Sequence, residues 1–452
     1  MPTAERAWRR MRRRRWEPST KTDYLWRPIT SGETSGASSF GAADLDAALR
    51  GLPASAASHV AAIIYLQMGP WPPWIEYVAQ SASSNSANVA FYFVGPKLPI
   101  ELAHVCTKNC WWLPAGTTAL HHRMETLLQP LPPGATLFTS ARCETAKCKT
   151  SRKICDLKPL WPSLLPELSA RHAWIGYADT DVVFGNLSYE VAALRPDDEL
   201  LVPANFFPHP LANGNFLLMR STPKMLRAYE RHPRWRDMVL DEKYRSFDEW
   251  GSSEYGSMTQ VYLDMYLAGE LRPRPTTRLL VQDTIIISFE AAKRQARFRV
   301  PHPGIEQGKA LVAIWWRAGA LWVEREGACW CSSDTIAQYG IATCHECLHE
   351  PGARLHNVST HRRFEAFAFH FQLWKKEWRQ QEYALLAKNN GTRPAGAVWS
   401  FPAPSCGSFS KGFELYPGGF RCSTTSEAPT AGCTRLMSKR SLCKEFSGRR
   451  TQ

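Results

Sequence analysis

The chain is predicted to be an α/β protein with a mostly parallel central sheet flanked by helices. Three observations predict it. Two short apolar runs, 60–66 and 88–94, bracket a segment of helical character. A third apolar run, 173–178, ends abruptly in the carboxylates Asp179 and Asp181. Strands covered on both faces read as continuous apolar runs rather than alternating ones, and such strands are typical of parallel sheets.

Residues 1–55 are rich in Arg, then in Ser, Gly and Ala, and are expected to form a disordered basic arm. Regular structure is expected from His59. The 60–66 run, bounded by Gly69-Pro70, reads as a buried strand. Pro72 and Pro73, tolerated in a first helical turn, open a helix through Trp74, Ile75, Tyr77, Val78 and Ser81. The 88–94 run, closed by Gly95-Pro96, completes a strand–helix–strand unit. Segment 157–168 is interrupted by prolines and is expected as a broken helix leading into the 173–178 strand. A strand at 216–219 precedes Thr222-Pro223, which caps a helix through Tyr229. Ser253 and Glu254 start a helix that ends near Gly269. The runs 312–316 and 321–324 flank Ala318-Gly319 as a hairpin, and 364–371 is a partly alternating strand with His370 near its end. The main domain is placed at 56–390. Residues 391–452 are a Gly-, Ser- and Cys-rich basic tail.

The net charge of +14 suggests nucleic acid until it is located. Residues 1–30 hold eight Arg and one Lys against three acids, and residues 391–452 hold nine basic residues against three. The ends carry almost all of the excess. The stretch between them is near neutral and lacks the basic face of a nucleic-acid-binding fold. The arginine run 9–15 suits a localisation signal, an anionic-surface contact or a solvated arm. No apolar segment follows it as in a secretory signal, and nothing approaches the roughly 18 apolar residues of a membrane span. No phosphate-binding Gly-x-x-x-x-Gly-Lys loop and no complete Gly-x-Gly-x-x-Gly fingerprint is present.

Thirteen cysteines leave at least one outside intrachain disulfides. Their clustering, including Cys106 with Cys110, and the sequons at Asn186, Asn357 and Asn390 favour disulfides and a secretory-pathway or Golgi lumen. Cys329, Cys331, Cys344 and Cys347 also have the spacing of a structural Zn²⁺ site.

Five constellations carry chemistry. Asp179 and Asp181 are one residue apart at the C-terminal edge of a buried strand, where open α/β sheets place ligands. On extended backbone both carboxylates point to one side and can face one hard cation, or they are the solvated acids of a surface turn. Lys153, Asp156 and Lys158 enter a helix just before that strand, in reach of a nucleotide or in plain solvent. Asn213-Gly214-Asn215 is a turn whose glycine permits close ligand approach, or an ordinary Asn-Gly turn. Asp248 and Glu249, flanked by Phe247 and Trp250, suit acceptor activation or a sugar-binding wall, and equally a helix N-terminal acid pair. His370 closes an aromatic strand as a candidate third metal ligand, with Lys375 or Lys376 near phosphate; a lone histidine there also suits a core.

Taken in order, Gly-Pro-Trp-Pro-Pro-Trp, Ser81 and Asn85, Lys153-x-Cys-Asp156-x-Lys158-Pro, Gly-Tyr-x-Asp179-x-Asp181-Val-x-Phe-Gly185-Asn-Leu, Phe-Asp248-Glu249 and His370-Phe-Gln372 resemble a family of glycosyltransferase-like proteins known only as a domain of unknown function and assigned to the GT-A type. The resemblance spans roughly 59–376, departing at Trp161-Pro162 and in cysteine-bearing insertions at 100–150 and 325–350. It implies a Rossmann-like GT-A fold, a nucleotide-sugar donor, commonly a uridine diphosphate sugar, and Mn²⁺ or Mg²⁺. Asp179 and Asp181, with His370, would hold the metal. Asp156, Lys153, Lys158, Asn213, Gly214 and Lys375 would contact the donor, and Asp248 or Glu249 would activate an acceptor of unspecified class (glycan, protein or small molecule). The alternative is a catalytically inactive protein that binds a nucleotide-sugar or carbohydrate. A third reading is a binder of nucleic acid or anionic surfaces acting through the basic ends.

Overall fold

A computed structural model of the chain describes residues 40–68, 71–72, 74–96, 105–106, 108–129, 154–204, 211–241, 244–249, 256–282, 311–317, 319–326, 361–371, 412–416 and 419–422. Strands β1 (Ala61–Leu66), β2 (Val89–Gly95), β3 (Cys110–Pro114) and β4 (Trp174–Ala178) run parallel in the order β3-β2-β1-β4. Every residue of β1, β2 and β4 is buried. That is why they read as unbroken apolar runs.

The chain leaves this sheet after β4, turns at 179–181 and enters β5 (Val182–Phe184), which belongs to a second sheet. β6 (Leu200–Val202), β7 (Phe216–Arg220) and β8 (Pro273–Pro275) then extend the first sheet. β7 lies antiparallel to β4 and β6, and β8 parallel to β6. The first sheet is thus seven-stranded and predominantly parallel.

The second sheet combines β5 with β9 (Leu279–Gln282), β10 (Leu311–Arg317), β11 (Ala320–Glu326), β12 (His361–His370), β13 (Phe413–Tyr416) and β14 (Gly419–Cys422). β10 and β11 form the expected hairpin about Gly319, and β12 runs beside β11, β5 and β9.

Between the sheets lies the helix Ile75–Ser83, buried on nearly all sides. Its Ser81 hydroxyl accepts the Phe184 N–H at 3.1 Å, and its Tyr77 ring meets Phe413 edge-on at 5.0 Å. The broken helix resolves into a 3₁₀ turn Lys158–Leu160 and helices Trp161–Leu164 and Pro166–Arg171, each with proline in its first turn. Thr222 caps Pro223–Leu226 by accepting from the Met225 N–H, and a 3₁₀ turn then carries the chain past Tyr229.

Some elements differ from expectation. Helix Ala42–Arg50 lies inside the segment expected to be a disordered arm. Leu45 and Leu49, four residues apart, bury one face of it, and the Gly41 N–H donates to the Asp44 carboxylate at 2.8 Å. The helix expected to end near Gly269 spans Met258–Leu267, and Ser253 and Glu254, its expected start, lie outside the described residues. β13 and β14 fall within the expected tail, yet β13 pairs with β10, so part of 391–452 completes the second sheet. Cys106 and Cys110 form a disulfide, whereas Cys155 carries a free thiol. Among the described residues no helix is long and apolar enough to cross a membrane. The four cysteines of the zinc expectation, Cys329, Cys331, Cys344 and Cys347, lie outside the described residues, as do Lys153, Lys375, Asn357 and Asn390.

Candidate active site

The turn 179–181 sits where the first sheet hands the chain to the second, and its backbone is tied from several directions. The Asp179 N–H donates to the Asn215 carbonyl at 3.0 Å, and the Val182 N–H closes the turn on the Asp179 carbonyl at 3.1 Å. The Trp74 indole N–H donates to the Thr180 carbonyl at 2.8 Å. The Phe371 N–H donates to the Asp181 carbonyl at 3.2 Å.

Pairing of β12 with β5 sets His370 opposite Val182, one residue beyond Asp181. Its Nε2 lies 3.2 Å from Asp181 Oδ2, with both side chains about 3% exposed. Asp179, Asp181 and His370 each offer a ligand atom, and these atoms all lie within 4.8 Å of one another. Two carboxylate oxygens and an imidazole nitrogen on one side of a turn suit a divalent cation. Carboxylates favour Mg²⁺ or Mn²⁺, and an imidazole adds affinity for the transition metals.

Lys158, 2% exposed, carries the one ammonium described in this cluster. Its Nζ lies 2.7 Å from Asp179 Oδ1 and 3.0 Å from Asp248 Oδ2, and donates to the Gly214 carbonyl at 2.6 Å. Three acceptors match its three N–H groups. Burial alone would lower the Lys158 pKa, but Asp179, Cys155, Asp248 and Glu249 outweigh it and hold the amine well above its ordinary value. Burial raises the Asp248 carboxyl well above the carboxylate range; Lys158 opposes this and Glu249 adds to it. Glu249 is raised by burial, with Lys158 opposing and Asp179 adding. The cluster therefore holds more carboxyl groups than Lys158 can pair, and burial favours the protonated forms of Asp248 and Glu249. Tyr65, at the end of β1, has a phenol raised by burial and by the Asp179 and Asp181 charges, and its hydroxyl has no hydrogen-bond partner among the described residues.

The acid pair is placed by its loop. Asp156 is fully buried and accepts the Arg245 and Phe247 N–H groups on its two oxygens, each at 2.8 Å. Ser246 between them has a φ of +56°. Successive N–H groups around a left-handed residue form an anion-binding concavity, here filled by a side chain of the same protein. The Phe247 and Glu249 carbonyls accept the Met258 and Thr259 N–H groups, which anchors the loop on the next helix. Gly214 is a glycine because Asp248 and Glu249 pack directly over it, where a Cβ would collide with both.

The structure thus brings Asp156, Lys158, Asn213, Gly214, Asp248 and Glu249 together beside the three candidate ligands. The close approach allowed by Gly214 is used by the acid pair, and Asp156 acts on the acid-pair loop. Asn213 is buried; its Oδ1 accepts the Asn215 N–H at 2.9 Å, while its Nδ2 has no described partner. Sequence reasoning missed the support supplied by Trp74. It noted Ser81 and Asn85 without a role, and their role is structural. Asn85 donates to the Gly185 carbonyl at 2.9 Å and accepts the Ser188 N–H at 2.8 Å, fastening the segment that follows the aspartates. Asn186, a sequon residue, caps helix Leu187–Ala192 by accepting from the Tyr189 N–H.

A model of a family of unknown function, DUF6625, matches residues 135–279, which include both aspartates and the acid pair but not His370. A search of curated proteins finds no match. Among solved structures, the apo form of the glycosyltransferase GlyE from Streptococcus pneumoniae TIGR4 aligns at 13% identity over 54% of this chain and 52% of its own, with a TM-score of 0.28. The galactosyltransferase LgtC in complex with donor and acceptor sugar analogues aligns at 11% identity over 74% of this chain and 97% of its own, with a TM-score of 0.29. The chain spans about half the length of the GlyE structures that it matches.

Proposed function

We propose that the protein is a metal-dependent glycosyltransferase of GT-A type, moving a sugar from a nucleotide-sugar donor to an acceptor. The observation that carries this reading is the convergence of Asp179, Asp181 and His370 ligand atoms within 4.8 Å, at the C-terminal edge of a buried parallel strand. These residues would hold Mn²⁺ or Mg²⁺. Bound there, a divalent ion neutralises the charge that develops on a diphosphate leaving group.

The neighbouring residues have roles that follow from their positions. Lys158 orients Asp179 and keeps Asp248 in register with it. Asp248 is fully buried with one oxygen on Lys158, which suits it to positioning. Glu249 is less deeply buried and lies in the field of Asp179 and His370. A carboxylate raised toward neutrality is the better proton acceptor for an acceptor hydroxyl.

Calorimetry with uridine diphosphate, with and without Mn²⁺, tests binding, and a screen of uridine diphosphate sugars for Mn²⁺-dependent hydrolysis tests turnover. Nucleotide binding that requires Mn²⁺, together with hydrolysis that Asp181→Ala abolishes, is the expected result. Nucleotide binding without hydrolysis of any donor would leave a binding protein in place of the transferase. Indifference to Mn²⁺, or full activity in Asp181→Ala, would remove the site assignment.

A further inference from the structure

We infer that Trp74 is a positioning residue that sets the spacing between the Asp179/Asp181 turn and His370, and hence the affinity of the candidate site for a divalent cation. The inference rests on the metal reading above and concerns a residue outside the ligand set.

The two halves of that site come from different sheets. The aspartates lie on the turn between β4 and β5, and His370 ends β12. A chelate of three side chains needs their relative positions held to a fraction of an ångström, and residues outside the ligand set supply that constraint. Trp74 reaches both halves. Its indole N–H donates to the Thr180 carbonyl, on the residue between the two aspartates, at 2.8 Å. Its ring packs edge-on against Phe371, immediately after His370, with centroids 5.8 Å apart. Phe371 in turn donates its backbone N–H to the Asp181 carbonyl.

Three bodies therefore close a ring of contacts: indole to turn, turn to the 370–371 segment, and that segment back to the indole. Trp74 is 2% exposed and stands at the head of the buried helix Ile75–Ser83. The helix is itself fixed to β5 through Ser81 and to the 185–188 segment through Asn85. The support is anchored rather than floating. The Thr180 carbonyl is part-buried, and on losing its donor it shifts toward another partner or toward water. Loss of the indole N–H thus releases the very residue that spaces the two carboxylates.

The test is Mn²⁺ binding to the full chain, followed by electron paramagnetic resonance of the free ion. Trp74→Phe keeps an aromatic ring for Phe371 and removes the N–H donor. It is expected to weaken Mn²⁺ binding about 5- to 30-fold while melting cooperatively. Trp174→Phe, at the opposite end of β4, controls for general loosening and is expected to bind Mn²⁺ like the parent. Equal affinity in Trp74→Phe and the parent, or an equal loss in both variants, would overturn the inference. A parent that binds no Mn²⁺ overturns the metal reading itself, and this inference with it. Should Trp74→Phe fail to fold, Phe371→Leu keeps its backbone N–H and removes the ring contact with Trp74, together with that to Phe369. It is expected to weaken Mn²⁺ binding by a smaller factor, and unchanged affinity there overturns the inference.

Discussion

The two sheets meet at the candidate site but are built differently. The centre of the first, β1, β2 and β4, is parallel and buried on both faces, so its geometry is set by packing in the middle of the core. The second is largely antiparallel and draws strands from distant parts of the chain, with β5 and β12 meeting over three residue pairs. The first sheet supplies a rigid rim that carries the carboxylates, and the second brings the imidazole to it. A cation held by all three would join the sheets. Residues deep in the first sheet should therefore govern folding, and residues at the junction should govern metal binding.

The largest effect is expected from Gly176→Ala in β4. Gly176 pairs with Leu218 of β7, and a Cβ there would collide with the Leu217 carbonyl. Backbone cannot yield as a side-chain tip does, so the cost should exceed about 4 kcal/mol. Denaturant unfolding should find little or no native protein; a stable variant would show that the first sheet tolerates displacement.

Lys158→Met comes next. It leaves Asp179 and the buried Asp248 facing each other without their shared cation. Stripping one partner from a buried ionic cluster costs about 3–5 kcal/mol. Added Mn²⁺ should recover part of that loss by binding Asp179, as thermal melts with and without Mn²⁺ can show. Equal stability of variant and parent would mean that the ammonium is dispensable.

His370→Ala separates the sheets' roles more finely. The fold should survive, because β12 remains paired along its length, while Mn²⁺ affinity should fall on the order of 10- to 100-fold, about 1.4–2.8 kcal/mol. Calorimetry measures it. Unchanged affinity would confine the cation to the first sheet's rim.

The smallest effect concerns pH. Asp248 and Glu249 have raised pKa values in the folded protein, so the native state binds more protons than the unfolded chain above the ordinary carboxylate range. Stability of the metal-free protein should therefore fall as pH rises from about 4 through the raised values. Glu249→Gln removes one contributor. It should flatten that dependence and raise Tm slightly at pH 7 in chelator. A steeper dependence in the variant would reverse the sign assigned to Glu249.

Much of this frame was legible before any coordinates. The runs at 60–66, 88–94 and 173–178 announced buried strands, and Asp179 and Asp181 followed directly from the last of them. Other elements carried no comparable signal. β6 and β8 are only three residues long, and the edge strand β3 is half-exposed across Cys110, Trp111 and Trp112. Helix Ala42–Arg50 has only Leu45 and Leu49 to mark a buried face within an alanine-rich stretch. Gly214 and Asp156 were recognised as unusual, but their immediate partners, the acid pair and its loop, could not be read from local pattern.

The sequence by itself determined which segments would be buried and where acidic groups would emerge from them. Burial is encoded by consecutive apolar side chains, and a strand's rim by the polar residues that end the run. Only the tertiary structure decided which groups meet. His370 touches Asp181 across 189 positions, Lys158 touches Asp248 across 90, and Trp74 supports Thr180 across 106. Such distances are set by strand register and sheet-to-sheet packing, which depend on the whole chain at once and leave no mark in any local stretch of residues.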